Sequence, residues 1–139
     1  MTEPVRILVC GSRTFDDATI VAYYLGRVSA FYESNIMIIE GEAKGADLLA
    51  REWAVATGKV FEPYPADWER YGKRAGFLRN TQMLEEGRPD RLVAFVDKPL
   101  AESKGTKMMV DIARTAGVPC RVVEHRSYVL PPLLDKGQT

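Results

Sequence analysis

Three short segments of the chain carry residue types that bind anions, and each follows an apolar run. They are residues 11–13 (GSR), 41–47 (GEAKGAD) and 103–106 (SKGT), and each is followed by a helical pattern. The first backbone N–H groups of a helix lack partners within the helix, and the helix dipole favours an anion there. We therefore expect the three segments to form one site for a phosphate-bearing ligand.

Glycine after a strand has a second explanation, because it is often needed only for backbone geometry. Neither the dinucleotide pattern G-x-G-x-x-G nor the Walker pattern G-x-x-x-x-G-K-[ST] is present. The sequence thus argues against an ordinary NAD-binding module and a P-loop NTPase. The case for a ligand depends on the three segments meeting at one edge of a sheet.

Positive charge is concentrated near the beginning of a helix predicted over residues 77–86. Lys73, Arg74 and Arg79 lie there, and cations at a helix N-terminus oppose the dipole unless an anion or a carboxylate neutralises them. They either bind a ligand, Arg79 above all, or are solvated or paired with Asp67 and Glu69.

Two aromatic residues and one acid have both a structural and a functional interpretation. Trp68 and Tyr71 either stack on a base or pack beside the proline-containing turn. Asp47 either stabilises the first turn of its helix or accepts hydrogen bonds from a ribose hydroxyl. No His, Cys, Asp and Glu cluster has metal-ligand spacing, so we predict no cofactor beyond a magnesium ion that could accompany a bound phosphate.

Bulk composition describes one ordinary soluble domain. The chain has 139 residues, 46% hydrophobic and 27% charged, with 19 basic and 19 acidic side chains. This balance gives no global attraction to nucleic acid or membranes. Cys10 and Cys120 lie two predicted strands apart, too far to bridge, which favours a reducing cytoplasm. The single histidine, His125, leaves no Ser-His or Cys-His catalytic pair.

The elements that position these segments alternate between strand and helix. Apolar runs predict strands at residues 5–10, 36–39, 59–64, 91–96 and 120–124, with a loop at 66–76. Either Thr14 or Asp16 would cap the first helix, whose predicted buried stripe runs from Ile20 to Phe31. This α/β pattern predicts a Rossmann-like five-stranded parallel sheet of order 3-2-1-4-5 over residues 1–125. The proline-broken tail, 126–139, is expected to pack on the domain or a second subunit.

Four ordered motifs resemble the YspA/YpsA-related branch of the SLOG superfamily, which occurs in bacteria and their phages. They are VCGSRTF, GEAKGADLLAREWA, PADWERYGKRAGFLRNTQML and SKGTKMMVDIARTAGVP, spanning about residues 5–123. The superfamily has a Rossmann-like fold and includes the LOG phosphoribohydrolases and the DNA-processing protein DprA. The resemblance implies a nucleotide or nucleotide-derived ligand, and a dimer. Together with the three segments, it gives these ligand-binding residues: Gly11, Ser12, Arg13, Gly41, Ala43, Gly45, Ala46, Asp47, Arg79, Asn80, Ser103, Lys104, Gly105 and Thr106.

Two departures from the superfamily's motifs bear on activity. Glu42 replaces the second glycine of a GGA-x-GAD pattern, and a carboxylate there would repel a nearby phosphate. Met109 stands where the hydrolases carry a glutamate, and methionine can act as neither acid nor base. We therefore predict a binding, sensor-like module. The alternatives are a nucleosidase or phosphoribohydrolase using Asp47 or Glu42, and a single-stranded nucleic-acid binder.

Overall fold

The computed structural model describes residues 2–125, which form one parallel sheet with helices on both faces. The strand order is β3-β2-β1-β4-β5, and every neighbouring pair is parallel. This confirms the predicted Rossmann-like fold and its strand order. The strands are β1 Val5–Gly11, β2 Ile36–Glu40, β3 Phe61–Pro63, β4 Arg91–Val96 and β5 Cys120–Glu124.

Helices connect the strands, and one of them lies in a segment that the sequence predicted to be a loop. The helices are α1 Ala18–Phe31, α2 Ala46–Ala56, α3 Trp68–Tyr71, α4 Ala75–Glu85 and α5 Lys104–Thr115. Helix α3 and a 3₁₀ turn, Gly72–Arg74, occupy the predicted loop. Asp67 caps α3 by accepting a hydrogen bond from the Arg70 N–H, but a helix of four residues is too short to show a period.

The two faces of the sheet bury two separate apolar clusters. Alternate residues of β1 divide between them, so that Ile7 and Val9 lie in one cluster and Leu8 and Cys10 in the other. Helices α1 and α2 cover the first face, and α4 and α5 cover the second. Burial of the central strands on both faces explains why their sequences are mostly apolar, with Arg6, Glu40 and Arg91 as the charged exceptions.

The beginning and the end of α1 differ from the prediction. Its cap is Asp17, which accepts from the Ile20 N–H at 3.0 Å, rather than Thr14 or Asp16. Thr14 instead donates to Asp97 at 2.6 Å. Phe31, predicted to be buried, is 74% exposed, because the helix turns the stripe of Val21, Leu25 and Ser29 toward the core.

The two cysteines are free thiols, Cys10 buried and Cys120 half-buried. None of the helices in residues 2–125 is long and apolar enough to cross a membrane. The predicted packing of the tail, residues 126–139, lies outside the described residues.

Candidate functional site

A cleft of about 560 Å³ opens at the carboxyl edge of the sheet, between the turns that follow β1, β2 and β4. Most of the predicted ligand-binding residues line it: Gly11, Ser12, Arg13, Ala43, Asp47, Arg79, Asn80, Ser103, Lys104, Gly105 and Thr106. The fold thus brings the three segments together, as expected for loops around a switch point. Gly41, Gly45 and Ala46 do not line it.

The turn before α2 is held closed by Asp47. Its Oδ2 accepts hydrogen bonds from the Gly41 N–H at 2.8 Å and the Ala43 N–H at 3.4 Å. The side chain is almost fully buried, and this burial raises its pKa to about 6, although Arg79 and the two N–H groups oppose the shift. Asp47 therefore satisfies N–H groups that the sequence had suggested for a phosphate.

Arg79 braces the same turn from α4. Its Nη1 donates to the Gly41 carbonyl oxygen, and its Nε donates to Asn80 Oδ1 at 3.0 Å. Burial lowers the pKa of the guanidinium, while the charge of Asp47 opposes that shift. A Cβ on Gly41 would overlap the guanidinium. The lack of a side chain at Gly41 therefore makes room for the guanidinium of Arg79. Arg79 both stabilises the turn before α2 and lines the cleft.

Glu42 does not line the cleft, which corrects the expectation that its carboxylate would repel a phosphate there. It forms an ion pair with Arg51 at 2.9 Å, and Arg51 also pairs with the fully buried Glu40 at 2.7 Å. Burial raises the pKa of Glu40, and its hydrogen bond with Arg51 opposes the shift. Glu42 and Asp47 were the two carboxylates considered as substitutes for the glutamate of the hydrolases. Of the two, only Asp47 lines the cleft.

The turns after β1 and β2 pack directly against each other. Ala46 N–H donates to the Ser12 carbonyl oxygen at 3.4 Å, and a Cβ on Gly45 would overlap that same oxygen. Gly45 has φ of +80°, which side chains rarely adopt. Ser12 is itself buried, and its Oγ accepts from the Asp97 N–H at 3.2 Å. Gly45 and Ser12 thus have defined structural roles.

The turn before α5 has polar groups without partners. Ser103 is 8% exposed and precedes the helix, and no hydrogen bond from its side chain caps the helix. Within residues 2–125, its Oγ is the one buried side-chain polar atom without a hydrogen-bond partner. The N–H groups of Lys104, Gly105 and Thr106 form the first turn, where N–H groups lack intrahelical acceptors. A Cβ on Gly105 would meet nothing within 4 Å.

Asn80 connects the two parts of the site. Its Oδ1 accepts from Arg79, and its Nδ2 donates to the Gly105 carbonyl oxygen at 3.3 Å and contacts Met108 Sδ at 3.4 Å. The side chain is 7% exposed. Asn80 therefore fixes the position of the α5 N-terminus relative to α4.

Four cations besides Arg79 and two aromatic residues, Trp68 and Phe77, line the cleft. Arg13 lies over the Trp68 ring, 5.5 Å from its centroid, and Trp68 is 48% exposed. Lys73, Lys98 and Lys104 also line the cleft, and no ion pair involves these four cations within the described residues. Tyr71 and Arg74, which the sequence also suggested, do not line it.

Several lining residues were missed from the sequence. Lys98 and Glu102 follow β4, so their place at the carboxyl edge was a signal that could have found them. Cys10, Met83 and Met109 form an apolar floor that sequence patterns cannot distinguish from core. Burial raises the pKa of Cys10 well above the usual thiol value, so this residue is a poor nucleophile.

Metal ligands are not grouped in the described part of the chain. No cluster of three or more His, Cys, Asp or Glu side chains among residues 2–125 could hold an ion. The carboxylates at the cleft are those of Asp47 and Glu102, and a magnesium ion accompanying a bound phosphate stays an alternative that the sequence left open.

Comparisons with known proteins bear on the family and the fold of the chain. The family model described as "YspA, cpYpsA-related SLOG family" matches residues 5–71. Gene 61 protein of Mycobacterium phage D29 is 36% identical over 119 residues, covering 82% of this chain and 92% of that protein. The crystal structure of DNA processing protein A (DprA) from Streptococcus pneumoniae shares the fold, with a TM-score of 0.59 at 16% identity.

The alignment with DprA covers 91% of this chain and 52% of that one, so the chain spans about half of the DprA length. The match to the phage protein extends over most of both chains. On this evidence the chain belongs to the YspA, cpYpsA-related SLOG family.

Proposed function

We propose that the protein is a binding module for a nucleotide or nucleotide-derived ligand, with a phosphate at the N-terminus of α5. The observation that carries the proposal is the buried Ser103 hydroxyl, which lines the cleft without a hydrogen-bond partner in the described chain. An unsatisfied buried hydroxyl costs about 1–3 kcal/mol. A ligand oxygen that accepts a hydrogen bond from this hydroxyl removes that cost.

The surroundings of Ser103 suit an anion. The first N–H groups of α5 and its dipole favour negative charge, and Gly105 leaves open space in front of them. Lys98 and Lys104 line the same cleft. Together they provide charge-assisted hydrogen bonds of the kind that phosphates accept.

The other end of the cleft suits the rest of a nucleotide. Trp68 presents a half-exposed ring on which a base can stack, and Arg13 lies over it. Asp47 uses Oδ2 for the turn, so its Oδ1 is the atom to which a ribose hydroxyl would donate. Membership in the SLOG family supports a module of this nucleotide-binding type.

Thermal shift and calorimetry test the proposal with inorganic phosphate, nucleoside monophosphates and ADP-ribose as probes. We expect at least one nucleotide to raise the melting temperature, and Ser103→Ala to weaken its binding about tenfold. Ser29→Ala removes a buried hydroxyl of α1, far from the cleft, and is the matched control with unchanged affinity. A folded protein that no probe stabilises would contradict the proposal.

A hydrolase acting on such a ligand is the second candidate, and Asp47 is the observation that favours it. This buried carboxyl lines the cleft, and its pKa of about 6 lies in the range useful for proton transfer. Met109 is buried in the floor at the position of the superfamily's glutamate. Chromatography that follows base release from nucleoside monophosphates tests this activity. Ligand binding without turnover at high protein concentration would reject the hydrolase and leave ligand binding as the function.

The remaining expectations need separate measurements. A dimer is tested by analytical ultracentrifugation at several protein concentrations. A magnesium requirement is tested by repeating the calorimetry with EDTA, which would weaken binding if the ion accompanies the phosphate. Binding of single-stranded nucleic acid in the cleft would be weakened in Ser103→Ala together with nucleotide binding.

A further inference from the structure

A second concave surface, of about 410 Å³, lies at the opposite edge of the sheet from the cleft. Helix α1 begins near the carboxyl end of β1 and runs back, so its last residues lie at the amino edge. There Arg91 begins β4 and Arg121 is the second residue of β5. We name this surface the arginine–aromatic patch; it is formed by Tyr23, Tyr24, Arg27, Phe31, Tyr32, Arg91 and Arg121.

The arginines of the patch contact rings rather than carboxylates. Arg121 lies 5.2 Å from the Tyr24 centroid, Arg27 lies 5.6 Å from that of Tyr23, and Arg91 lies 6.0 Å from that of Phe31. Cation–π contacts of this kind orient a guanidinium without neutralising its charge. The patch therefore keeps its positive charge.

Arginines elsewhere in the protein show the contrast. Arg6 pairs with Glu62, and Arg51 pairs with Glu40 and Glu42. No ion pair of Arg27, Arg91 or Arg121 occurs within residues 2–125. In a chain whose formal net charge is zero, three guanidinium groups on one surface, without ion pairs in the described residues, are a local concentration of charge.

The aromatic side chains add exposed rings to this charge. Phe31 is 74% exposed and Tyr23 is 54% exposed, both on the outer side of α1. Each lies edge-to-face with its neighbour, Phe31 with Tyr32 at 4.9 Å and Tyr23 with Tyr24 at 5.1 Å. The rings are thereby held in place while part of their surface stays open to a ligand.

We propose that the arginine–aromatic patch binds single-stranded nucleic acid, with its phosphates on Arg27, Arg91 and Arg121 and its bases on Tyr23 and Phe31. Charge complementarity and exposed rings are the two features that a single strand needs. A duplex hides its bases, and an apolar protein partner would bury three charges without counter-charges. This site is separate from the nucleotide site at the carboxyl edge, and neither depends on the other.

Fluorescence anisotropy with a labelled oligodeoxythymidine of about 12 nucleotides tests the proposal at about 50 mM salt. We expect the full chain to bind this strand more tightly than an abasic strand of the same length, which has phosphates but no bases. We also expect tighter binding to it than to a duplex. Equal binding of the normal and abasic strands would overturn the proposal, since it would reduce the patch to a general anion site.

Substitutions locate the binding. Arg91→Gln with Arg121→Gln should lower affinity at least about tenfold and reduce the salt slope, log Kd against log salt, by about 1.4. Arg114→Gln removes an exposed arginine of α5, on the other face of the sheet, and should change affinity less than about twofold. Equal losses in the two variants, or no binding to a protein whose circular dichroism shows it folded, would overturn the proposal.

Two further measurements separate the alternatives. Phe31→Leu keeps the charges. It should lower the affinity for the normal single strand about fivefold and leave the affinity for the abasic strand unchanged. Polyglutamate of similar charge should displace the strand poorly; efficient displacement would instead indicate an acidic protein partner. Ser103→Ala, in the carboxyl-edge cleft, should leave oligonucleotide binding unchanged, and a loss there would move the strand to the nucleotide site.

Discussion

The turn before α2 and the turn before α5 both connect a strand to a helix through small residues, at the same edge of the sheet. In the first, Asp47 accepts a hydrogen bond from the Gly41 N–H, and Arg79 donates one to the Gly41 carbonyl oxygen. In the second, the Ser103 hydroxyl has no partner in the described chain. One turn therefore has its polar groups bonded within the protein, while the other keeps a buried hydroxyl unbonded in the described chain.

This difference shows what a glycine-rich turn can and cannot indicate. A turn predicts an anion site only if the protein does not already supply partners for its polar groups. Small residues alone cannot show this, because the partners come from other elements, as Arg79 comes from α4.

Asp47→Ala would break the closed turn and should have the largest effect. At pH 5, below the pKa of Asp47, we expect a loss of up to about 4 kcal/mol in the free energy of unfolding, because the buried Gly41 N–H and the partly buried Ala43 N–H lose their acceptor. Chemical denaturation measures it. Asp111→Ala, which breaks an exposed pair with Lys107, is the control and should cost less than about 1 kcal/mol. Similar losses in both variants would refute the bracing role of Asp47.

The pH dependence of stability should also come from the closed turn. The pKa of Asp47 is about 6 in the folded protein against an ordinary 3.8, so between these values the folded state holds a proton that the unfolded state releases. Stability therefore falls as pH rises from about 4 to 6, by up to about 3 kcal/mol. Asp47→Asn keeps an acceptor oxygen without titrating. The difference between wild type and this variant, measured from pH 4 to 8, should show the fall; a constant difference would contradict it.

The fold was predictable because it depends on patterns that repeat along the chain. Apolar runs located every strand, and the handedness of the crossovers gave the strand order. Two local features were not predicted. Helix α3 is too short to show a period, and the N-cap of α1 is Asp17 instead of Thr14 or Asp16. Phe31 was misassigned because α1 is apolar over a stripe wider than the face it buries.

The site was predictable in its place but not in how its residues are used. Parallel strands bring the three segments to one edge, as the lining of the cleft shows. The roles of Arg79 and Glu42 depend on contacts across elements, with Gly41 and Arg51 respectively. Single-sequence patterns carry no information about such pairings.

Glycines in the two turns should respond differently to alanine. Gly45→Ala should cost about 2 kcal/mol, because φ of +80° strains a side chain and its Cβ overlaps the Ser12 carbonyl oxygen. Gly105→Ala should be neutral or stabilise by up to about 1 kcal/mol, since its Cβ meets open space in a helix. Thermal denaturation measures both. Equal destabilisation would remove the distinction between the closed and open turns.

Ser12 and Ser103 give the finest form of the comparison, because both are buried serines that line the cleft. Ser12→Ala removes an acceptor from the Asp97 N–H and should lower the free energy of unfolding by about 1 kcal/mol. Ser103→Ala removes a hydroxyl without a partner in the described chain, so the stability of the free protein should be unchanged or slightly higher. The increase in the free energy of unfolding that bound nucleotide produces should become smaller. Denaturation with and without nucleotide separates the two effects. If Ser103→Ala destabilised the free protein as much as Ser12→Ala does, the hydroxyl would be part of the structure and the turn before α5 would be as closed as its neighbour.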